Sequence, residues 1–355
     1  MKDKFVKITL WLFFLGSLSG CYKYDVIEEE TNIYVNRQSL SLFVGEQIQL
    51  TASPLEGTYN WSTEDTKVAT VTSGGLVQVV GEGTTDIVVS SGNLSTKVNL
   101  TATVRIPLED VSLTQTELVL LRGTKKSISV TYVPNNTNDV PKNYSWSSEN
   151  KDVAIVNKEG EITAISAGVT KIIYKIGDIE KKIEVEVTNT LPFRGPHNLT
   201  AAEPYELAAA NFDIGGEGYA FHDADAGNNT GNDNYRRNNG DTGSTPVEVE
   251  GNGGSNVGYT NPGEWLLYTI NVVDAGDYKV DVLLAGPSAS SFHLEVDGVN
   301  VTGTIPTPAT GGWGAYQLVS TPEDKLTLSL TKGKHTFKYY FEGGHNLRGF
   351  RFTKK

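Results

Sequence analysis

Histidines and carboxylates are the side chains of this sequence that could carry out acid–base or metal chemistry. The five histidines form no His-Glu-x-x-His zinc motif. The chain also lacks the Gly-x-Ser-x-Gly motif of serine hydrolases and the phosphate-binding Gly-x-x-x-x-Gly-Lys-Ser/Thr loop. Nothing distinguishes any two of its 42 acidic residues as the carboxylate pair of a glycosidase. The sequence therefore predicts a protein that is not an enzyme.

The only cysteine, Cys21, stands at the end of an N-terminal targeting pattern. Lysines within the first seven residues precede the apolar run 8–15, which is about half the length that a bilayer-spanning helix needs. The tetrapeptide Leu-Ser-Gly-Cys at 18–21 resembles the bacterial lipobox, whose cysteine is lipidated and becomes the new N terminus. We expect residues 1–20 to be a lipoprotein signal peptide and residues 21–32 to be a lipid-anchored tether.

The acidic run Glu28-Glu29-Glu30 lies in this tether. It resembles the acidic stretch that follows the lipidated cysteine in surface-exported lipoproteins of Bacteroidota, although a plain solvated tether explains the charges equally well. The lipobox and the acidic run together predict an outer-membrane protein that is lipid-anchored and faces the cell exterior.

Composition and charge exclude several kinds of partner. The 355 residues have 38% hydrophobic and 20% charged side chains, which is typical of a globular chain of two or three domains. A formal net charge of −12 repels nucleic acid and anionic lipid headgroups. We therefore expect no nucleic-acid partner, and contact with the membrane through the lipid anchor only. A single cysteine excludes a disulfide framework.

A sequence pattern in the first half of the chain repeats after 85 residues (61 to 146). Trp61 recurs as Trp146, Val68-Ala69 as Val153-Ala154, Gly75 as Gly160 and Gly83 as Gly168. Apolar alternation between Gly and Ser turns predicts short antiparallel strands in each copy, with the tryptophan packed in the core. The pattern resembles bacterial immunoglobulin-like group 2 domains over residues 33–104 and 109–188. The resemblance implies two immunoglobulin-like β-sandwiches in tandem, which serve as spacers.

A different composition begins after residues 189–195, which the sequence predicts to be a linker. The 31 residues from 226 to 256 contain 8 Asn and 7 Gly, and predict a long irregular loop system with one short β pair at 247–250. Apolar alternation from Trp265 onward predicts further strands. We expect a jelly-roll β-sandwich over residues 196–355, so that the whole chain is all-β.

Four sequence blocks of this C-terminal region resemble carbohydrate-binding module family 6. They are Gly-Gly-Glu-Gly-Tyr-Ala-Phe-His-Asp at 215–223, Asn-Val-Gly-Tyr-Thr-Asn-Pro-Gly-Glu-Trp-Leu at 256–266, Gly-Gly-Trp at 311–313 and His-Asn-Leu-Arg-Gly-Phe at 345–350. The resemblance implies a β-sandwich that binds poly- or oligosaccharide without cleaving it.

The resemblance also implies which side chains contact sugar. A sugar ring has an apolar face and a polar rim, so its site offers flat aromatic side chains and a few hydrogen-bonding groups. In the family, two aromatic residues sandwich a ring and an asparagine of the last strand bonds its hydroxyls. The matching positions are Tyr235, Trp313 and Asn346. Glu217 matches a carboxylate that bonds sugar hydroxyls at the same cleft.

Members of this family usually hold a structural calcium ion through a Glu-x-Glu pair on the first strand and an acid on the last. The pair falls on Ala208 and Ala210, and residues 346–355 contain four cations and no acid. Because calcium needs roughly six to eight oxygen ligands, we expect the calcium site to be lost and the protein to use no cofactor. A shifted register through Glu203 and Glu206 is the alternative.

These features predict a non-catalytic surface lipoprotein that captures a β-glucan-type or other neutral plant, algal or fungal glycan for a polysaccharide-uptake system, beside neighbouring glycan-uptake proteins. The alternative is an adhesin or structural protein whose immunoglobulin-like repeats bind a protein partner.

Replacement of the lipidation site tests the predicted anchor. We expect Cys21→Ala to release the protein from the membrane fraction, because the acyl chains contribute about 0.8 kcal/mol per buried methylene. Fractionation and a salt wash of outer membranes measure this. A variant that stays in the salt-washed membranes would show that another segment anchors the chain.

Overall fold

The computed structural model describes residues 32–54, 58–225, 227, 234–238, 241, 246–251 and 256–355. The signal peptide predicted at 1–20, Cys21 and most of the tether predicted at 21–32 lie outside the described residues. The secondary-structure elements of the described residues are strands, apart from one short α-helix and one 3-10 helix. This confirms the predicted all-β class. They belong to two compact units, one ending at Arg105 and the other spanning Ile106–Lys355.

The first unit contains an immunoglobulin-like sandwich. Its described strands are β1 (Tyr34–Val35), β2 (Ser39–Phe43), β3 (Gln47–Gln49), β4 (Ala52–Ser53), β5 (Asn60–Thr63), β6 (Ala69–Val71), β7 (Leu76–Val79), β8 (Gly83–Ser91) and β9 (Leu94–Thr103). One sheet has the order β2-β9-β8-β5, with β2 and β9 parallel, and the facing sheet has the order β3-β7-β6. Leu50, Val77, Ile87 and Val98 are fully buried between the sheets.

The second unit begins with the repeat of this sandwich. Its strands are β10 (Asp110–Leu113), β11 (Glu117–Leu121), β12 (Lys125–Ser127), β13 (Val130–Val133), β14 (Tyr144–Ser148), β15 (Ala154–Val156), β16 (Glu161–Ala164), β17 (Gly168–Ile176) and β18 (Ile179–Thr188). The sheet orders β11-β18-β17-β14 and β12-β16-β15 reproduce those of the first copy. The strand pair β11–β18 is parallel, as β2–β9 is.

A tryptophan–glycine contact explains part of the sequence repeat. Gly75 and Gly160 both have a φ of 82°, a left-handed conformation that side chains disfavour. A Cβ at Gly75 would lie 3.1 Å from Cε2 of Trp61, and a Cβ at Gly160 would lie 3.1 Å from Cε2 of Trp146. Each ring packs against the hydrophobic core of its sandwich, as the sequence predicts. The repeated residues therefore form one packing unit in each copy.

The C-terminal module is a sandwich of two larger sheets. Its elements are β19 (His197–Leu199), β20 (Tyr205–Ala208), a 3-10 helix (Ala209–Asn211), β21 (Phe221–His222), α1 (Asn234–Asn238), β22 (Val249–Glu250), β23 (Asn256–Val257), β24 (Trp265–Val272), β25 (Gly276–Ala285), β26 (Ser290–Val296), β27 (Val299–Asn300), β28 (Ile305–Thr307), β29 (Gln317–Val319), β30 (Thr327–Leu330), β31 (Gly333–Phe341) and β32 (Asn346–Lys354). The sheets have the orders β19-β24-β31-β26-β27 and β22-β23-β32-β25-β29.

Alternating side chains of these two sheets build an aromatic core. Buried and outward-facing residues alternate along all eight residues of β24. The rings of Tyr268, Phe337 and Phe350 are fully buried and contact one another, with centroids 5.0–6.1 Å apart. This core fixes the strand ends from which the loops of the module extend.

The predicted linker at 189–195 is part of the module rather than a free connection. The backbone of Leu191 exchanges two hydrogen bonds of 2.8 Å with that of Ile214, and Phe193 is 1% exposed in the module core. The guanidinium of Arg122, after β11, lies 4.5 Å from the ring centroid of Tyr219 in the module. The second sandwich and the module are thus joined through packed contacts inside one unit.

A buried arginine ties the long segment between β21 and β22 to the start of the module. Arg236, in α1, is 1% exposed; its Nε donates to Asp241 Oδ2 at 2.8 Å. Its Nη1 and Nη2 donate to the carbonyls of Ala210, Phe212 and Asp213 at 2.6–3.0 Å. Burial lowers the pKa of Arg236, and the Asp241 carboxylate opposes this shift. Four hydrogen bonds therefore compensate this cation for its burial in the core.

Replacement of this arginine tests its structural role. We expect Arg236→Met to lower the free energy of unfolding of the module by about 3–5 kcal/mol, because Asp241 and three carbonyls lose their donor. Hydrogen exchange of amides in β24 and β32 reports on the module within the full chain. Arg351→Met, which removes an exposed ion pair to Glu206, is the control and should cost at most about 1 kcal/mol. Equal losses in the two variants would contradict this role.

Candidate functional site

Four residues from separate loops and strand ends line a cavity of about 310 Å³ at one end of the module: Glu250, Tyr259, Trp313 and Asn346. Glu250 ends β22, Tyr259 follows β23, Trp313 lies between β28 and β29, and Asn346 begins β32. The two aromatic residues are both 55% exposed, whereas Asn346 is 7% exposed. The cavity therefore presents aromatic surface to solvent above a polar floor.

The floor of the cavity is a hydrogen-bonded group around Glu250. Its Oε2 accepts from the side-chain amides of Asn256 and Asn346, the latter at 3.3 Å. The amide of Asn346 also donates to the carbonyl of Trp313 at 3.0 Å, so this asparagine connects the floor to the aromatic loop. A Cβ at Gly258 would meet the Glu250 carboxylate and lie 2.9 Å from Asn346 Oδ1. Glycine at position 258 thus allows the floor to pack against the backbone next to Tyr259.

A reciprocal contact between Thr260 and His345 holds two residues of the cavity in place. Thr260 Oγ1 donates to the His345 carbonyl at 2.7 Å and accepts from the His345 backbone N–H at 3.1 Å. Thr260 follows Tyr259 and His345 precedes Asn346. Tyr259 has a φ of 57°, which residues other than glycine rarely adopt. The contact fixes this backbone conformation beside the first residue of β32.

The imidazole of His345 is buried behind the cavity. Its Nδ1 lies 3.0 Å from Ser290 Oγ and its Nε2 lies 2.6 Å from Tyr339 Oη. Burial lowers the pKa of His345 to about 4, so the ring is neutral at neutral pH. A neutral ring can donate to one of these hydroxyls and accept from the other. The histidine therefore acts as a structural support.

The structure brings together two of the four residues predicted to contact sugar. Trp313 and Asn346 line the same cavity. Tyr235 does not: it is 9% exposed, its hydroxyl donates to Asn211 Oδ1 at 2.8 Å, and Arg194 Nη1 donates to that hydroxyl at 3.0 Å. Tyr235 is thus buried and lies outside the lining of this cavity, so its predicted contact with sugar stays a prediction. Tyr235 precedes the buried Arg236 in α1, so this turn of the helix packs against the core.

Glu217 also lies away from the cavity lining. Its carboxylate pairs with the imidazole of His222 and accepts from the Asp223 backbone N–H at 3.1 Å, in an exposed turn before β21. Glu250 provides the carboxylate at the cavity and Tyr259 provides the second aromatic ring. Both lie in or beside segments identified from the sequence, the β pair at 247–250 and the block at 256–266. The Val-Glu-Val-Glu pattern at 247–250 and the Gly-Tyr pair at 258–259 are the sequence features from which Glu250 and Tyr259 could have been predicted as site residues.

The residues at the calcium positions of the family do not fit that ion. Ala208 and Ala210 offer no side-chain oxygen, and the Ala210 carbonyl accepts from the Arg236 cation. The alternative ligand Glu206 pairs with Arg351. Within the described parts of the chain, no group of three or more His, Cys, Asp or Glu side chains is arranged to hold a metal ion.

Comparison with known sequences agrees with this architecture. Residues 233–354 match the carbohydrate binding module (family 6), residues 107–187 match the bacterial Ig-like domain (group 2), and residues 43–93 match the immunoglobulin-like domain of intimin. The three matches occur in the order of the three sandwiches, with the two immunoglobulin-like models on the first two and the carbohydrate-binding module on the third, and the matched families are non-catalytic.

Two curated proteins share part of this sequence. Beta-agarase AgaA of Microbulbifer thermotolerans is 34% identical over 107 residues, which are 30% of this chain and 24% of the agarase. Ice-binding protein 1 of Shewanella frigidimarina is 31% identical over 173 residues, which are 45% of this chain and 19% of that protein. The matched region thus spans a quarter or less of the length of either relative.

Solved structures include similar modules. The C-terminal family 6 module of the laminarinase LamC from Zobellia galactanivorans has 24% identity and a TM-score of 0.29, over 43% of this chain and all of that one. A module of Cellvibrio mixtus lichenase 5A, solved with cellotriose, has 34% identity and a TM-score of 0.25, over 28% of this chain and 77% of that one.

Substitution of Thr260 tests whether its contact with His345 orders the cavity. We expect Thr260→Val to weaken oligosaccharide binding roughly tenfold or more, because Tyr259 and Asn346 lose their common support. Thr260→Ser keeps the hydroxyl and should bind like the wild type. Calorimetric titration, well below the unfolding temperature of each variant, measures the affinity. A Thr260→Val protein that is less stable but binds normally would show that the contact serves folding alone.

Proposed function

We propose that this protein is a lipid-anchored outer-membrane protein that captures poly- or oligosaccharide outside the cell for a glycan-uptake system. The cavity formed by Glu250, Tyr259, Trp313 and Asn346 is the observation that carries the binding part of this proposal. The lipobox at 18–21 and the acidic run at 28–30 support the location.

The two exposed aromatic residues supply the apolar contact of the proposed sugar site. Tyr259 and Trp313 line the cavity from different loops, and both keep more than half of their surface open to solvent. Flat aromatic faces bury the C–H face of a sugar ring. Hydrogen bonds of Thr260 and Asn346 already hold the two loops in place. The loss of conformational entropy on sugar binding is therefore small.

The polar floor selects the kind of ring. The Glu250 carboxylate accepts hydrogen bonds and the Asn346 amide both donates and accepts, which suits the hydroxyls on the rim of a sugar ring. A carboxylate at this position repels an anionic group on the same ring. The ring held in the cavity is therefore neutral, as in a β-glucan or another neutral plant, algal or fungal glycan. The likeness to a β-agarase adds a galactan to the glycans worth testing first.

The remaining parts of the chain support presentation of the module away from the membrane. Two sandwiches separate the N-terminal segment from the module. In the described part of the chain, every helix is too short to cross a bilayer, so that part offers no helical anchor. Attachment in this proposal is through Cys21, and the captured glycan passes to neighbouring uptake proteins in the same membrane.

Removal of an aromatic ring tests the sugar site. We expect the full chain to be retarded in gels that contain a soluble glycan, tested over laminarin, lichenan, xylan and agaro-oligosaccharides. Trp313→Ala and Tyr259→Ala should each weaken the affinity for the bound glycan at least about tenfold, which corresponds to ~1.4 kcal/mol.

Tyr144→Ala is the matched control, since it removes an exposed tyrosine from the second sandwich. It should leave the affinity unchanged. If none of the glycans retards the protein, the proposal that it captures sugar is wrong. If Trp313→Ala binds glycan with unchanged affinity, this cavity is not the sugar-binding site.

A further inference from the structure

A second groove lies on the outer face of the sheet that contains β32, the strand whose first residue, Asn346, lines the cavity. It has a volume of about 360 Å³, and its lining includes Leu283, Leu318, the carboxylate of Glu206 and the guanidinium groups of Arg348 and Arg351. Leu318 is 53% exposed, so its apolar surface is open to a ligand in the groove. The groove therefore has an apolar floor and two guanidinium groups.

A β-bulge places one of these cations between the groove and the cavity. Leu284 pairs with Leu347 and Leu283 with Gly349, so that Arg348 is the extra residue of β32. Bulges redirect the side chain of the extra residue. The guanidinium of Arg348 lies 5.2 Å from the ring centroid of Tyr316, which follows Trp313 of the cavity by three residues. Arg348 of the groove therefore lies on the strand that begins with Asn346 and contacts the segment that follows Trp313, and both of these residues line the cavity.

The charges of the two arginines are balanced differently. Arg351 forms an ion pair with Glu206. Arg348 is exposed and contacts the face of an aromatic ring, and among the described residues no carboxylate oxygen lies within 4 Å of its guanidinium. The groove therefore carries one uncompensated positive charge, at its end nearest the cavity.

We propose that this groove binds the next residue of the glycan chain held in the cavity, and that Arg348 recognises an oxyanion on that residue. Two positions along a strand correspond to about 6–7 Å, so the Cα atoms of Asn346 and Arg348 are separated by roughly the length of one sugar residue. The apolar floor takes the face of the ring, and the planar guanidinium donates two parallel hydrogen bonds to a carboxylate or a sulfate ester.

The overall charge of −12 does not oppose this assignment. Exposed charges more than about 8 Å apart are largely screened at physiological ionic strength, so the local guanidinium decides the preference. The neutral ring expected beside Glu250 and the charged ring expected beside Arg348 are successive residues of one chain. The inference rests on the proposed sugar site and makes its ligand a glycan with an anionic substituent.

Matched oligosaccharides test the inference by calorimetric titration of the full chain. One pair is a κ-carrageenan hexasaccharide and its desulfated counterpart; the other is a hexagalacturonate and its carboxyl-reduced counterpart. We expect the anionic member of one pair to bind about tenfold more tightly than its neutral counterpart, and this preference to shrink as salt is raised. The pair that shows the preference identifies the oxyanion as a sulfate ester or a carboxylate.

Arg348→Gln should bind the anionic and neutral members equally, with the affinity that the wild type has for the neutral one. Arg351→Gln, which removes the same charge from the same groove, should keep the preference. A wild type without preference in either pair, an Arg348→Gln protein that retains it, or an equal loss in Arg351→Gln would each overturn the inference. Those results leave the sugar site intact as long as a neutral member binds, whereas binding of none of the four ligands overturns both.

Discussion

The C-terminal module depends on a charge that has been removed from water. Arg236 lies between the rings of Phe193 and Phe212, 4.3 and 3.6 Å from their centroids, and donates to one carboxylate and three carbonyls. A buried cation is tolerated only when its hydrogen-bonding capacity is satisfied, which requires each partner to occupy one position. Helix α1 and Asp241 are thereby tied to the first elements of the module.

The same kind of constraint orders the cavity. Its residues come from four places in the sequence, and polar contacts rather than apolar packing hold them together. The Thr260–His345 contact and the three-way link of Asn346 to Glu250 and Trp313 satisfy groups that would otherwise be buried without partners. The aromatic rings can remain exposed because the backbone beneath them is supported in this way.

The sequence alone predicts the fold better than the site. The spacing of Trp61 and Gly75 recurs in the second copy because these two residues pack against each other. The alternation of apolar and polar residues along β24 indicates which side chains face the core. Trp313 could be placed from its Gly-rich loop. The burial of Tyr235 could not be predicted, because the adjacent Arg236 donates to three carbonyls that lie 23–26 residues earlier in the sequence. Glu217 and Glu250 both occur beside glycine, and only the strand pairing decides which carboxylate meets Asn346.

The parallel strand pairs give the spacers a mechanical property. In each sandwich an early strand is hydrogen-bonded in parallel to the last one, β2 to β9 and β11 to β18, over five residue pairs. A chain held at its N terminus and pulled through a bound polymer at its C-terminal module draws these two strands in opposite directions along their common axis. The load then falls on all the bonds of the pair at once, in shear, instead of opening them one after another as in a hairpin. A sandwich loaded in this way yields only when all five pairs of the ladder slide together.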